Sequence, residues 1–300
     1  MQPWWSGFRP ELLGLLEEPF ESFLEKANGF AEAHGLTSSR GHGLQFVAQD
    51  KLSAQDLAMG YEAFIAKTGA VPTRDLRHDR LNALVWLSAS QSKRRLNFLH
   101  GDALLGSGLG GQTCDTNPTK QLTTVTGAST RGGRGGRGEP GERGERGALR
   151  DALTLLDENL MVIACHAQGP ELKALLENHD WQALFWQFRA HWQNQWQPFV
   201  FGHALLEKLD APFKAITAHC LLLYVRKPVA SWQDLDEMLC AQIGPDLRSS
   251  QLLALPVMGL AGWCPENTRR DFYFDPKVFR PRRPPEAEVE APGGLGQGPG

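Results

Sequence analysis

A glycine-rich stretch in the middle of the chain limits what the protein can fold into. Residues 101–147 contain 14 of the 32 glycines in a chain of 300 residues. Glycine has no side chain to bury and loses more conformational freedom on folding than other residues, so this stretch predicts a disordered Gly/Arg-rich insertion. The core must then come from two segments. We expect residues 1–100 and 148–280 to be the N-terminal and C-terminal halves of one domain, and residues 281–300 to be a disordered tail.

Within the insertion, glycine stands at every third position from Gly132 to Gly147, with arginines between. The spacing is that of collagen, but six triplets with one proline are a poor nucleus for a triple helix. The arginines, from Arg131 to Arg150, would suit a nucleic-acid tether, although the stretch has no aromatic residue to stack on a base. We interpret it as a solvated insertion and keep the tether as an alternative.

Composition and charge narrow the class of protein. The chain is 41% hydrophobic, enough for a sizeable core, and its net charge of -3 argues against a nucleic-acid partner. Its longest apolar run, Leu252 to Cys264, has 13 residues, whereas a bilayer-spanning helix needs about 20. The odd count of five scattered cysteines, with no export signal, favours the cytoplasm. We therefore expect a soluble cytoplasmic protein without a membrane segment.

Helix signals outnumber strand signals along the rest of the chain. The segments that begin Ser53-Ala-Gln-Asp and Ser231-Trp-Gln-Asp have the form of capping boxes, which start helices. The β-rich run 216–225 predicts one strand, and 153–165 predicts two short strands joined at residues 157–159. The expected fold is α+β, a mostly helical single domain with a small antiparallel sheet.

Two predicted helices carry lines of polar side chains beside apolar ones. The first runs from about residue 76 to 88 and places His78 and Asn82 one turn apart, with Asp79 beside them. The second starts near residue 91 and aligns Lys93, Asn97 and His100. If the two helices pack as a hairpin, the polar lines can face each other, as in a site or a buried hydrogen-bond network.

Further candidates lie in the C-terminal half. His203 and Glu207 have a spacing that suits two ligands of one metal, or a carboxylate that orients an imidazole. His219 lies on the predicted strand, and Arg150 and Asp151 stand beside the predicted hairpin. The sequence contains no established catalytic signature, so it leaves the metal, the cofactor and the question of enzymatic activity open.

These residues together predict a polar site in which acid–base or hydrolytic chemistry acts on a small anionic ligand. Histidine would act as the base, and Lys93 and Arg150 would hold negative charge. Two alternatives stay open: a nucleic-acid-associated module that uses the Arg-rich segments, and a scaffold in which the polar groups are internal struts. The candidate residues are His78, Asp79, Asn82, Lys93, Asn97, His100, Arg150, Asp151, His203 and His219.

Six blocks of sequence, in this order, resemble the bacterial DUF3025 family: YEAFIAKTGAVPTRDLRHDRLNALVWL, KRRLNFLH, RDALTLLDEN, FGHALLEKL, FKAITAH and FYFDPKVFRPRR. The resemblance covers most of residues 45–283 and implies a soluble bacterial protein, with no activity attached to it. The chain departs from the pattern at Arg80 and Leu81, where aromatic residues are expected, near Ala89 and Ser90, where Phe-Pro is expected, and at Leu160, where a glycine is expected. These departures raise the question of whether an ancestral activity persists.

Overall fold

The structure is a computed structural model that describes residues 2–105 and 140–282. Eleven α-helices are the main regular structure in this part of the chain. In chain order they are α1 (Pro10–Leu15), α2 (Phe20–Ala33), α3 (Ala54–Ala58), α4 (Tyr61–Thr68), α5 (Arg77–Ser88), α6 (Ser90–Leu105), α7 (Pro140–Asn159), α8 (Gly169–Asn178), α9 (His191–Asn194), α10 (His203–Asp210) and α11 (Trp232–Gln242).

Six strands form two small sheets in the described ranges. They are β1 (Gln45–Ala48), β2 (Ala70–Thr73), β3 (Leu160–Cys165), β4 (Trp196–Val200), β5 (Thr217–Tyr224) and β6 (Leu253–Pro256). Strands β1 and β2 pair in parallel, and the larger sheet has the order β4-β3-β5-β6. Its outer pairings are antiparallel, whereas β3 and β5 are parallel. The predicted α+β class with a small sheet is confirmed.

One hydrophobic core joins the two halves of the chain. It extends from Trp4 to Phe279, and the central strand β3 is buried along its whole length. A strand that is buried on both faces reads as a continuous apolar run, as LMVIAC does. The core is therefore shared by segments on both sides of the glycine-rich stretch, as expected for a single domain.

The predicted hairpin at residues 153–165 is wrong in its first half. Helix α7 continues to Asn159, and β3 begins at the next residue. Leu153 and Leu156 are fully buried, and their spacing of three serves a helix as well as a strand. No tight turn lies at this point, so Leu160 needs no positive φ. The absence of the expected glycine there does not distort the chain.

Helices α5 and α6 confirm the predicted pair of polar helices. They are separated at Ala89, whose φ of -132° and ψ of 56° are not helical. The first turn of α6 is capped from α11, because the Asp236 carboxylate accepts the backbone N–H groups of Gln91 and Ser92, both at 2.8 Å. Most of α5 is buried, from Asp79 to Leu87. Polar side chains on this helix must therefore find partners inside the protein.

The ends of the predicted insertion are helical, because α6 reaches Leu105 and α7 begins at Pro140. Residues 106–139, with the arginines at 131, 134 and 137, lie outside the described residues, as do residues 283–300 of the predicted tail. Within the described ranges, no helix is both long enough and apolar enough to cross a membrane.

Candidate functional site

Three helices meet at a point where two histidines and a glutamate face one another. His78 lies in the first turn of α5, Glu158 in the last turn of α7, and His203 is the first residue of α10. The Nε2 atoms of His78 and His203 are 3.0 Å apart, and Nε2 of His203 is 3.4 Å from Oε2 of Glu158. The site borders on solvent, since the side chains of His78 and Glu158 are 32% and 39% exposed.

A glycine lets α10 begin against the end of α7. The backbone N–H groups of Phe201 and Gly202 both donate to the carbonyl of Leu160, at 3.0 and 2.9 Å. A Cβ atom on Gly202 would lie 2.5 Å from both the carbonyl oxygen of Glu158 and the backbone nitrogen of Asn159. Because a real Cβ cannot approach backbone atoms so closely, glycine at this position brings His203 next to Glu158.

A carboxylate fixes the orientation of His78. Its Nδ1 is 2.8 Å from Oε2 of Glu207, which lies one turn after His203 on α10. A carboxylate oxygen accepts, so Nδ1 of His78 carries a proton, and in the neutral ring Nε2 presents its lone pair. The predicted role of Glu207 as an orienting carboxylate fits this geometry, although it orients His78 rather than its neighbour on the helix.

His203 is almost completely enclosed, with 3% of its surface exposed. Burial lowers its pKa to about 4, against the opposing effect of the Asp157 carboxylate, so the ring is neutral at physiological pH. The backbone of Asp157 also raises this pKa, yet Nδ1 of the ring makes no hydrogen bond of regular geometry. The buried ring therefore presents Nε2 to the site and leaves its second nitrogen unsatisfied.

Glu158 completes the group from the solvent side. Burial raises the pKa of its carboxyl and the neighbouring Asp157 adds to the effect, while His78, Lys93 and Lys208 act in the opposite direction. Its only ion pair in the described part of the chain is with His203. The carboxylate thus lies at the open edge of the site with one oxygen directed at the buried imidazole.

A buried ion pair lies behind the histidines. The ammonium of Lys93 donates to the carboxylate of Asp157 and, at 2.7 Å, to Oδ1 of Asn82. The amide of Asn82 in turn donates to the hydroxyl of Tyr61, also at 2.7 Å. Burial raises the pKa of Asp157, but the attraction of Lys93 and His203 outweighs it and the net pKa is lowered. Lys93 is neutralised inside the protein and does not face solvent.

Beside the site, Asn159 and His219 make a second polar contact. Nδ2 of Asn159 donates to the backbone carbonyl of Thr217 and to Nδ1 of His219, both at 3.1 Å. Because a carbonyl can only accept, the amide orientation is fixed, and Nδ1 of His219 must be the acceptor. The proton of His219 is then on Nε2, which has no partner among the described residues.

Lys208 adds a free positive charge at the same place. Its side chain is exposed and makes no hydrogen bond or ion pair within the described ranges. It is close enough to lower the pKa of both Glu158 and His219. For His219, burial is the larger cause of the lowered pKa. Among the described residues, a free ammonium close to Glu158 and a free N–H donor on the histidine beside Asn159 therefore lie near the site.

The remaining candidates of α5 and α6 lie elsewhere. Asn97 accepts from Ser39 at 2.6 Å and donates to Glu62 at 2.7 Å, so it connects the loop between α2 and β1 to α4. Asp79 accepts both the backbone N–H and the guanidinium of Arg74, which fixes the start of α5. Both arrangements satisfy their polar groups internally, as the scaffold alternative expects.

Three other candidates are near the ion pair or on the surface. His100 is close enough to Asp157 and Lys93 for their charges to act on it, but burial is the main cause of its lowered pKa. Arg150 and Asp151 are exposed on α7. The structure thus brings His78 and His203 together, places Asn82, Lys93 and His219 nearby, and leaves the other candidates outside this group.

Sequence reasoning missed Glu158 as a member of the site. The sequence predicts a loop between two strands at residues 157–159, whereas these residues end helix α7. Their three side chains all lie in the region of the site. Three consecutive polar residues between Leu156 and Leu160, both fully buried, were the available signal. The sequence indicates that these three side chains point into the structure only if the helix is known to extend to residue 159.

The departure at Arg80 has a local explanation. Its guanidinium donates to the backbone carbonyls of Leu16 and Glu18, at 3.2 and 2.6 Å, and to Asp75 at 2.7 Å. It also lies 5.1 Å from the ring centroid of Phe23. The arginine fills space where an aromatic residue is expected, and the histidine site is not involved.

Fold and site together define an α+β protein with two histidines and a glutamate at the junction of three helices. The chain matches the family model described as "Protein of unknown function (DUF3025)" over residues 44–125 and 138–283, and it belongs to that family. All three members of the junction lie within the matched ranges. Comparison with curated proteins and with solved structures found no match.

Proposed function

We propose that the protein is an enzyme that hydrolyses a small anionic substrate at the site formed by His78, His203 and Glu158. The observation that carries the proposal is the opposition of two imidazole nitrogens 3.0 Å apart beside a half-exposed carboxylate. One imidazole is neutral because it is buried, and the other is oriented by Glu207. These three groups can hold and polarise a water molecule at the edge of the protein. Hydrolysis transfers the hydroxyl of that water to the substrate and its proton to the leaving oxygen.

The charge distribution supports an anionic substrate. Lys93 does not supply the binding charge, because Asp157 already neutralises it. Among the described residues, Lys208 and the Nε2–H group of His219 are free instead, and the charge of Lys208 acts on both Glu158 and His219. A carboxylate or phosphate on the substrate would accept from both, which would place an adjacent ester bond near the histidines.

Two further expectations from the sequence concern nucleic-acid binding and the location of the protein in the cell. The nucleic-acid alternative depends in part on arginines that lie outside the described residues, namely Arg131, Arg134, Arg137 and Arg283, and nothing at the site favours it. A cytoplasmic location rests on the sequence alone.

The test is hydrolysis of small anionic esters by the full-length protein. We would measure turnover of 4-nitrophenyl phosphate, of bis-4-nitrophenyl phosphate and of mono-4-nitrophenyl esters of dicarboxylic acids. His78→Ala should lower kcat/KM by about 100-fold or more, the range for loss of a group that handles a proton or positions water. Lys208→Met should raise KM more than it lowers kcat. His42→Ala, which removes an exposed histidine of the loop before β1, is the matched control and should match the wild type.

Two results would contradict the proposal. One is the absence of turnover above buffer for every ester of the panel. The other is turnover that His78→Ala leaves unchanged, since the activity would then arise elsewhere or from a contaminant.

A further inference from the structure

We propose that His78, His203 and Glu158 bind a divalent transition-metal ion of the zinc type. The inference deepens the proposed function, because the ion would be what polarises the water, but its test needs no substrate. The site would be formed by two imidazoles and one carboxylate, with the remaining positions on the ion open to solvent.

The distances between the three ligand atoms are close to those of a metal site. Zinc lies about 2.0–2.1 Å from imidazole nitrogens, so two nitrogens on a tetrahedral ion are about 3.3 Å apart. The two Nε2 atoms are 3.0 Å apart, and Nε2 of His203 is 3.4 Å from Oε2 of Glu158. All three ligand atoms lie within 4.8 Å of one another. A small rotation of the half-exposed Glu158 side chain would bring its oxygen into range.

The hydrogen bonds around the rings favour an ion over a shared proton. Because Glu207 fixes the proton of His78 on Nδ1, its Nε2 carries a lone pair directed at His203. With a neutral His78 and no ion, Nε2 of His203 donates to it, and Nδ1 of His203 is then a buried acceptor without a donor among the described residues. An unsatisfied buried polar atom costs about 1–3 kcal/mol. With an ion, both Nε2 lone pairs are used, and the proton of His203 moves to Nδ1, on the side away from the ion.

The local charge also fits a divalent cation. Asp157 is already balanced by Lys93, and Arg77 is paired with Asp210. The carboxylates of Glu158 and Glu207 lie beside imidazole rings, and a neutral imidazole has no positive charge to balance them. Two carboxylates therefore bring two negative charges and Lys208 one positive charge, so the place has a net negative charge that favours a cation.

The ligand types select the class of ion. Magnesium and calcium prefer oxygen ligands, whereas imidazole suits zinc, iron, copper and nickel. Two histidines and one carboxylate with open positions form the arrangement of catalytic rather than structural zinc sites. The Glu207–His78 pair supplies the outer carboxylate that commonly orients a metal-bound histidine. Zinc is therefore the first ion to test.

The test is zinc binding to the full-length protein after removal of metals with EDTA. Isothermal titration with zinc chloride, and metal analysis after gel filtration, should give one zinc ion per chain. Glu158→Gln and His78→Ala should each weaken binding at least 10-fold. Glu207→Gln should weaken it by about 10–100-fold, as for loss of an outer-shell partner. His42→Ala should bind as the wild type does.

Far-UV circular dichroism of each variant is the control that it is folded. Glu158 is 39% exposed, so its replacement by glutamine does not open the core. Absence of zinc binding by the wild type, or equal affinity in the wild type, Glu158→Gln and His78→Ala, would overturn the proposal. The two proposals fail separately. Zinc binding without turnover would refute the hydrolase alone, and His78-dependent turnover by the EDTA-treated protein would refute the metal alone.

Discussion

Replacing Lys93 by methionine removes the cation of a buried ion pair, and its effect on stability tests how the core of the site is held together. Lys93 is 3% exposed and the side chain of Asp157 15% exposed. Methionine fills a similar volume but leaves the Asp157 carboxylate without its cation and Oδ1 of Asn82 without its donor.

The expected magnitude follows from the cost of an uncompensated buried charge. Breaking a buried ion pair by removing one partner typically costs about 3–5 kcal/mol. The loss of the bond to Asn82 belongs to the same network and should not be added in full. We therefore expect Lys93→Met to lower the free energy of unfolding by about 3–5 kcal/mol.

The assay is urea denaturation followed by far-UV circular dichroism at neutral pH. The double variant Lys93→Met/Asp157→Leu should recover most of the loss, because an apolar pair in place of a buried ion pair is often neutral or stabilising. Lys173→Met is the matched control. Its side chain is 54% exposed and its ammonium lies 3.7 Å from the Glu177 carboxylate within α8, so the change should stay within about 0.5 kcal/mol.

Two results would refute this reasoning. A loss of less than about 1 kcal/mol in Lys93→Met would show that the ammonium contributes as little as an exposed charge does. A double variant no more stable than Lys93→Met would show that the carboxylate is not the group left unpaired.

Three further changes test other parts of the account. Gly202→Ala should destabilise the fold by about 1–3 kcal/mol and weaken zinc binding, because its Cβ would collide with the backbone at Glu158; an unchanged melting temperature and affinity would contradict this. Asp236→Asn should cost about 1.5–3 kcal/mol in urea denaturation, since the charged acceptor at the start of α6 is lost; a change below 0.5 kcal/mol, about the size of an ordinary surface effect, would contradict this. Burial and the nearby charge of Asp157 raise the pKa of the Glu62 carboxyl. The ionised carboxylate therefore lowers the free energy of unfolding as the pH rises through that pKa. Glu62→Gln should therefore improve stability more at pH 8 than at pH 4, and an equal effect at both pH values would contradict this.

Local signals in the sequence predicted several elements correctly. The capping boxes at Ser53 and Ser231 are formed and start α3 and α11. The run 216–225 contains β5, and the two polar helices are α5 and α6. In each case the signal lies within a few residues of the element that it specifies, so it does not depend on the tertiary fold.

The site depended on contacts that no local pattern contains. His78, Glu158 and His203 are far apart in the chain, and the sequence does not show which of the nine histidines converge. The spacing of His203 and Glu207 identified both as members, but their partners lie on other helices. For Lys93, the sequence and the structure lead to different roles. Its charge suggested that it binds a ligand, whereas in the structure it is buried and paired with Asp157.

The most direct measurement is anomalous X-ray diffraction at the zinc absorption edge from crystals of the full-length protein grown with zinc. One strong peak is expected about 2.0–2.2 Å from Nε2 of His78, Nε2 of His203 and an oxygen of Glu158. Crystals of Glu158→Gln grown under the same conditions should show a weaker peak or none. Zinc bound elsewhere while the two imidazoles stay 3.0 Å apart without an ion would contradict the account.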